Sequence, residues 1–303
     1  MQSLKFLFIA SLVAPFGLLP LRWSQAIGSR LGLLLMKYNR KRAHISRCNL
    51  KACFPEKTDA EREELLIANA KETGKWFLES AYVWFGNPNY LSKRVSVRNP
   101  EILEAAHQQK RGVVVVLPHL GNWELVNFYL PQNYPFAAMY KPIDSPALEN
   151  IIFKARSRVG TKMFSTNIKG VRQALKGMRK NNVLAVLSDH LPTKEAGVYA
   201  PFFGHPALTG KLTQALVNSN QSEVLLSTVI RKPKGQGFEI VFHKIEGMHT
   251  EDNVAAATAL NKAIEKSILL APEQYQWVYR RFASPPEGAP NIYALEQPLG
   301  TAL

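Results

Sequence analysis

His119 and Glu124 stand in the run Pro118-His-Leu-Gly-Asn-Trp-Glu124, an imidazole and a carboxylate at a spacing that a strand-turn-helix junction can bring together. A histidine steered by an acid is a general base, because its unperturbed pKa lies near neutrality and the acid can fix its tautomer. Spacing alone does not single out this pair, since His190 and Glu195 repeat it. Context does. The apolar run Val113 to Leu117 reads as a buried strand ending just before His119. Gly121 supplies a tight turn, Asn122 an N-cap, and Trp123, Leu125, Val126, Phe128 and Tyr129 a helix that can dock on a sheet. From the first turn, Glu124 can reach back to the imidazole and stabilise its protonated form. Its alternative is a structural one, a negative charge at the favourable end of a helix. His190 is followed instead by Leu-Pro-Thr-Lys-Glu-Ala-Gly, a loop. Asp189, after the apolar run Val183 to Leu187, sits like a site residue at a strand end, with a loop hydrogen bond as its other reading.

Other reaction types lack their motifs. There is no Gly-x-Ser-x-Gly elbow, phosphate-binding P-loop, Gly-x-Gly-x-x-Gly turn or His-Glu-x-x-His pair. A substrate hydroxyl activated by His119, attacking an activated acyl donor without a covalent enzyme intermediate, is the simplest chemistry left. No metal or cofactor is expected. Cys48 and Cys53 lie in a basic segment without a matching cysteine or histidine cluster and read as reduced thiols.

The elements that must position these groups follow from periodicity. Short β-rich runs at Val113 to Leu117, Phe136 to Tyr140, Val183 to Leu187, Val224 to Ile230 and Phe238 to Phe242 alternate with helical patterns at 148–158, 168–180, 207–219 and 252–271. That alternation predicts an α/β fold, a mostly parallel sheet flanked by helices, over residues 95–290. Residues 24–94 read as a basic amphipathic and helical segment. Ile27, Leu31, Leu34 and Leu35 recur at helical spacing as a membrane-surface element, and a long helix starts at Thr58 or Asp59. Its apolar stripe runs through Leu65, Leu66, Ala70, Trp76, Phe77 and Tyr82. Residues 291–303 close the chain as an irregular tail.

Of the 303 residues, 46% are hydrophobic, enough for a large core, and the formal net charge of +15 calls for an anionic partner. The charge is concentrated: residues 1–60 and 141–181 each carry ten Lys and Arg against two carboxylates. Residues 6–21 are apolar apart from Ser11, with Lys5 before them and a series of cations after. Residues 1–23 are therefore expected to form a membrane anchor with the following side in the cytoplasm; a cleaved signal peptide and a buried helix are the alternatives. Trp277, Tyr279, Arg280 and Arg281 suit a membrane interface. Pro201-Phe-Phe-Gly204 reads as acyl-pocket lining or as core. Charge alone would also permit a non-enzymatic protein binding nucleic acid or anionic membrane, but no nucleic-acid-binding motif is present.

Taken together, the chain resembles the lipid A biosynthesis acyltransferases of Gram-negative bacteria, of lauroyl or myristoyl type, within the wider His-x4-Asp/Glu acyltransferase group. The resemblance rests on His119-Leu-Gly-Asn-Trp-Glu124, Tyr140-Lys-Pro, Arg156-Ser-Arg158-Val-Gly160, Ser188-Asp189-His190, Pro201-Phe-Phe-Gly204, Pro272-Glu-Gln-Tyr-Gln-Trp277 and Arg280-Arg281-Phe282. It implies transfer of a fatty acyl chain from acyl carrier protein to a hydroxyl of a lipid A precursor, at the cytoplasmic face of the inner membrane among its phospholipids. It implies His119 as general base paired to Glu124. Arg156, Arg158, Asn122, Lys141 and Asp189 are the expected substrate-binding residues. Arg156 and Arg158 lie two apart on a helix and cannot both point one way, which favours Arg156 for the site. Acyl carrier protein, lipid A precursor and phospholipid are the expected partners, and nucleic acid is not. A lysophospholipid, glycerol phosphate or another glycolipid is the alternative acceptor.

Overall fold

The computed structural model describes residues 11, 14–142 and 146–294. At its centre, five consecutive apolar residues form β2 (Val113–Leu117), buried along its whole length. A strand buried on both faces must be apolar at every position rather than at alternate ones. Val113, Val115 and Leu117 enter one hydrophobic cluster, Val114 and Val116 the other.

Seven strands make one sheet in the order β1 (Val95–Arg98), β9 (Phe238–Lys244), β8 (Glu223–Arg231), β2, β5 (Val183–Leu187), β3 (Phe136–Tyr140), β4 (Lys162–Ser165). Every neighbouring pair is parallel except β8 with β9. The sheet is therefore mostly parallel, as the alternation of patterns predicts. One face is covered by α4 (Pro88–Ser92), α5 (Pro100–Gln108) and α6 (Glu124–Tyr129). The other carries α2 (Arg40–Cys53), α8 (Ile168–Met178), α9 (Leu212–Asn220) and α10 (Asn253–Leu270). A separate hairpin, β6 (Gly197–Phe202) with β7 (His205–Gly210), packs against α10. Because β2, β3, β4, β5 and β8 run the same way, their carboxyl ends share one edge, where open α/β sheets place their sites.

Two long helices lie by that edge. Thr58 caps α3 (Asp59–Phe85) in a reciprocal capping box with Glu61. Against α3 lies α1 (Leu21–Tyr38) in unusually close backbone contact: a Cβ on Gly32 would meet the Ala70 carbonyl oxygen at 1.9 Å, and one on Gly74 would meet that of Gly28 at 2.0 Å. That approach gives α1 a buried side of Leu21, Ser24, Gln25, Gly28 and Gly32. Trp23, Leu31, Leu34, Leu35 and Tyr38 are left exposed. This is the inverse of an ordinary surface helix, which hides its large apolar residues. Between α3 and β8 sits a buried charge cluster: the Arg231 guanidinium holds Glu79 and Glu72, and Gln25 donates to Glu79 at 2.7 Å.

Several expectations are corrected. Residues 207–210 of the expected 207–219 helix belong to strand β7 (His205–Gly210), and the helix begins at Leu212. β1, β4 and β6 are further strands: β1 alternates as Val-Ser-Val-Arg but is only four residues long, and β4 and β6 are of mixed sequence without alternation. Tyr293, in the expected irregular tail, is buried and donates its hydroxyl to Asn49 at 2.7 Å. Trp277 and Arg281 are 1% and 3% exposed and belong to the interior rather than a membrane interface. Phe202 is core. Most of the expected anchor, residues 1–10 with 12 and 13, lies outside the described residues; among those described, no helix is long and apolar enough to cross a membrane.

Candidate active site

His119 follows β2 directly, in a loop that Gly121 makes possible. Gly121 has φ +57°, and a Cβ there would meet the Val229 carbonyl oxygen at 1.8 Å, so the turn admits only glycine. The loop is strapped by the segment after α10. Gly121 N–H donates to the Gln274 carbonyl at 3.0 Å, Gln276 N–H donates to the His119 carbonyl at 3.0 Å, and the Gln274 side chain accepts from Arg231 N–H at 2.8 Å. The strap thus ties the buried Arg231 cluster to the backbone that carries His119.

The partner of His119 is Asp189. Its Oδ1 accepts from His119 Nδ1 at 2.6 Å and its Oδ2 accepts the His119 backbone N–H at 2.8 Å. Burial alone would raise this carboxyl, which is 1% exposed; the charge and hydrogen bonds of His119 outweigh it and hold Asp189 below the usual carboxylate range. An ionised carboxylate can only accept, so Nδ1 carries a proton, and in the neutral form of the ring Nε2 then keeps its lone pair. Nε2 makes no hydrogen bond among the described residues, and the side chain is 10% exposed. Trp123 meets the ring edge-on at 4.7 Å between centroids, backed by Trp76 stacked at 4.8 Å.

Glu124 does not take the position its spacing suggests. Its carboxylate, 2% exposed, is clamped by Arg156, whose Nε donates to Oε2 at 2.9 Å and whose second terminal nitrogen donates to Oε1 at 2.5 Å. Trp84 Nε1 adds a contact of 3.4 Å. Burial works to raise the Glu124 carboxyl, but Arg156 prevails and keeps it below its ordinary range. The physical reason is direction. As the first residue of α6, on the face toward α3 and α7 (Pro146–Ser157), Glu124 meets the guanidinium from α7 instead of the imidazole.

The other expected residues divide. Arg156 is in this cluster, with two of its nitrogens already engaged by Glu124; Arg158 points elsewhere and donates to the Val83 carbonyl at 3.0 Å. Lys141 is exposed just beyond β3. Asn122 is fully buried beside the site but does not cap α6, since its amide nitrogen and oxygen both lack a hydrogen-bond partner among the described residues. Asp189 is on the imidazole, its carboxylate engaged by His119.

Spacing does not reveal the place of His190, which stacks on His119 with centroids 3.7 Å apart and planes 1° apart, its other face on Tyr279 at 3.8 Å. Gln276 lies 3.2 Å from its Nε2, and Glu195 remains in the loop and exposed. His119, Asp189 and His190 offer three metal-ligand atoms within 4.8 Å of one another.

Burial, then the charge of His119, push His190 down to about 4, so it is neutral at pH 7. Its folded pKa lies below the unfolded value of about 6.5, so the unfolded chain binds more protons between these values and stability falls as pH drops from about 6.5 to about 4. His243, lowered by burial and by Arg98 and Lys266, titrates with the same sign. Asp189, Glu124 and other lowered carboxyls act below this window. His190→Phe keeps the stack without the titration, so urea unfolding at pH 7 and pH 5 is expected to differ less in the variant than in the wild type. Identical differences would count against a buried neutral His190.

With this geometry in place, the sequence comparisons decide the family. The profile described as bacterial lipid A biosynthesis acyltransferase matches residues 2–284. The chain belongs to that family. It is 31% identical over 270 residues to the lipid A biosynthesis palmitoleoyltransferase of Escherichia coli (strain K12), covering 88% of this chain and 87% of that protein. The lipid A biosynthesis lauroyltransferase of the same organism is 29% identical over 269 residues, with 88% and 87% covered. A lipid A biosynthesis acyltransferase of Haemophilus influenzae is 29% identical over 274 residues, with 88% and 86% covered. This lipid A acyltransferase family member is thus an enzyme of acyl transfer, and His119 with Asp189 sits within the matched region.

Proposed function

We propose that this protein transfers a fatty acyl chain from acyl carrier protein to a hydroxyl of a lipid A precursor, with His119 as general base and Asp189 as the acid that orients it. One observation carries the reading: in a lipid A acyltransferase, a buried carboxylate 2.6 Å from Nδ1 leaves Nε2 as the unengaged basic atom. In the reaction, Nε2 takes the proton of the acceptor hydroxyl as its oxygen bonds to the thioester carbonyl carbon. The carbon–sulfur bond then breaks, and the imidazolium returns the proton to the leaving thiolate. Asp189 stays ionised and stabilises the imidazolium between these steps. The acyl chain passes directly from thioester to acceptor oxygen and never bonds to the enzyme, so no covalent enzyme intermediate forms. Glu124 acts at one remove by holding Arg156 against α6, and the guanidinium nitrogen it leaves unengaged is a donor for an anionic group of the acceptor.

The site of action in this reading is the cytoplasmic face of the inner membrane. Supporting it is the outward face of α1, where Trp23, Leu31, Leu34, Leu35 and Tyr38 are exposed among Arg22, Arg30 and Lys37. Apolar and aromatic side chains flanked by cations suit an anionic lipid interface. The test is to incubate purified full-length protein with acyl carrier protein thioester and, separately, a lipid A precursor, a lysophospholipid and glycerol phosphate, reading products by mass spectrometry. The expected product is the lipid A precursor heavier by one acyl chain, and its yield is expected to vanish with His119→Ala. Acylation of the lysophospholipid or glycerol phosphate alone would reassign the acceptor.

A further inference from the structure

Between Glu149 and Asp189 the chain carries nine Lys and Arg and no carboxylate. Arg156 and Arg158 are engaged within the fold. Lys169, Arg172 and Lys176 of α8, with Arg179 just past its end, recur at i, i+3, i+7 and i+10 and share one helix face. All four are exposed, as is Lys180, and none makes an ion pair among the described residues.

The helix itself does not ask for this stripe. Lys169 lies in the first turn, where the helix dipole disfavours a cation, and Arg172, Lys176 and Lys180 follow one another at i, i+4 with like charge. Nor does the opposite face need it, because Gly170, Ala174 and Met178 seat α8 on the sheet. The cations therefore cost the free protein some stability, which a partner of opposite charge would return.

The topology indicates which partner. α8 begins after β4, at the sheet edge that carries His119, three strand spacings from β2, or on the order of 14 Å away. It then runs back to the start of β5, so Lys176 and Arg179 lie toward the opposite edge. α1, with its exposed apolar face, packs instead beside the Pro233–Gly235 turn that follows β8 at the site edge. A stripe that leads away from that edge, with no exposed aromatic residue on its helix, fits an acidic protein better than a lipid surface. We infer that the Lys169, Arg172, Lys176 and Arg179 face of α8 docks the acidic carrier protein that delivers the acyl thioester to His119. The inference rests on the acyl-carrier reading above and names the surface that reading requires.

The experiment is steady-state kinetics of the full-length protein with two donors, acyl carrier protein thioester and the same acyl chain on free pantetheine. Wild-type protein must first turn over the carrier-bound donor, and failure there sinks the functional reading itself. In K169E/R172E/K176E, KM for the carrier-bound donor is expected to rise at least about 10-fold with kcat within about twofold, and pantetheine kinetics to stay unchanged. The neutral set K169Q/R172Q/K176Q should give a smaller rise. An unchanged KM would overturn the proposal, as would equal losses with both donors in either variant. Loss of binding to phosphatidylglycerol vesicles with KM unchanged would overturn it too, assigning the stripe to the membrane.

Discussion

Asp189→Asn is expected to lower kcat about a thousandfold while leaving the fold intact, measured as acyl transfer from the carrier-bound donor to the lipid A precursor. The size follows from the number of donors the carboxylate serves. His119 presents both its backbone N–H, at 2.8 Å, and its Nδ1–H, at 2.6 Å, to the two oxygens of Asp189. An amide has one oxygen. If that oxygen serves the backbone, the amide NH₂ faces Nδ1, the ring must carry its proton on Nε2, and the base has no lone pair to use. A wrong tautomer of this kind costs about 10³–10⁴ in rate where an acid orients a histidine base. Loss of the negative charge adds to it, since the imidazolium then forms in a buried site without a counter-ion. A loss below about tenfold would mean that Asp189 does not orient the base.

The second large effect is on stability. Arg156→Met leaves the Glu124 carboxylate, 2% exposed, without its cation, and unfolding free energy by urea titration is expected to fall by about 3–5 kcal/mol. Removing both charges, in Glu124→Leu with Arg156→Met, is expected to recover most of that loss, because two well-packed apolar side chains replace a desolvated pair. The double variant separates the pair's two parts: restored stability with activity still low assigns Arg156 to the acceptor, whereas restored activity makes the pair purely structural. If Glu124 were instead the partner of His119, as its spacing suggests, Arg156→Met would leave the fold near wild-type stability. The 2.5 and 2.9 Å contacts between Glu124 and Arg156 argue the opposite.

Much of this was legible in the residues. Uniform apolar runs such as Val113–Leu117 and Val183–Leu187 mark strands buried on both faces, and they placed His119 and Asp189 at the correct edge of the sheet. What stayed hidden was pairing across distance. Asp189 is 70 residues from His119, and only the adjacency of β2 and β5 joins them; a local spacing of five residues pointed to Glu124 because sequence displays near neighbours and not neighbouring strands. The same blindness passed over His190, which shares its loop with Asp189 and so reaches the same site. Trp277 and Arg281 looked interfacial by type, yet the strap that holds the Gly121 turn carries them into the core. The Ser188-Asp189-His190 and Pro272 to Trp277 motifs were the available signal: two chemistry-bearing segments with no local partner are often partners of a third.

The central claim is that His119 and Asp189 act as one unit, and a double-mutant cycle in kcat tests it most directly. His119→Ala, Asp189→Asn and the double variant are compared with wild type, using carrier-bound donor and lipid A precursor. Groups that act as a unit are non-additive: once the base is gone, the residue that orients it has nothing left to do. The predicted result is a double variant no slower than His119→Ala alone. Losses that multiply, or a His119→Ala variant that retains near-normal turnover, would contradict it.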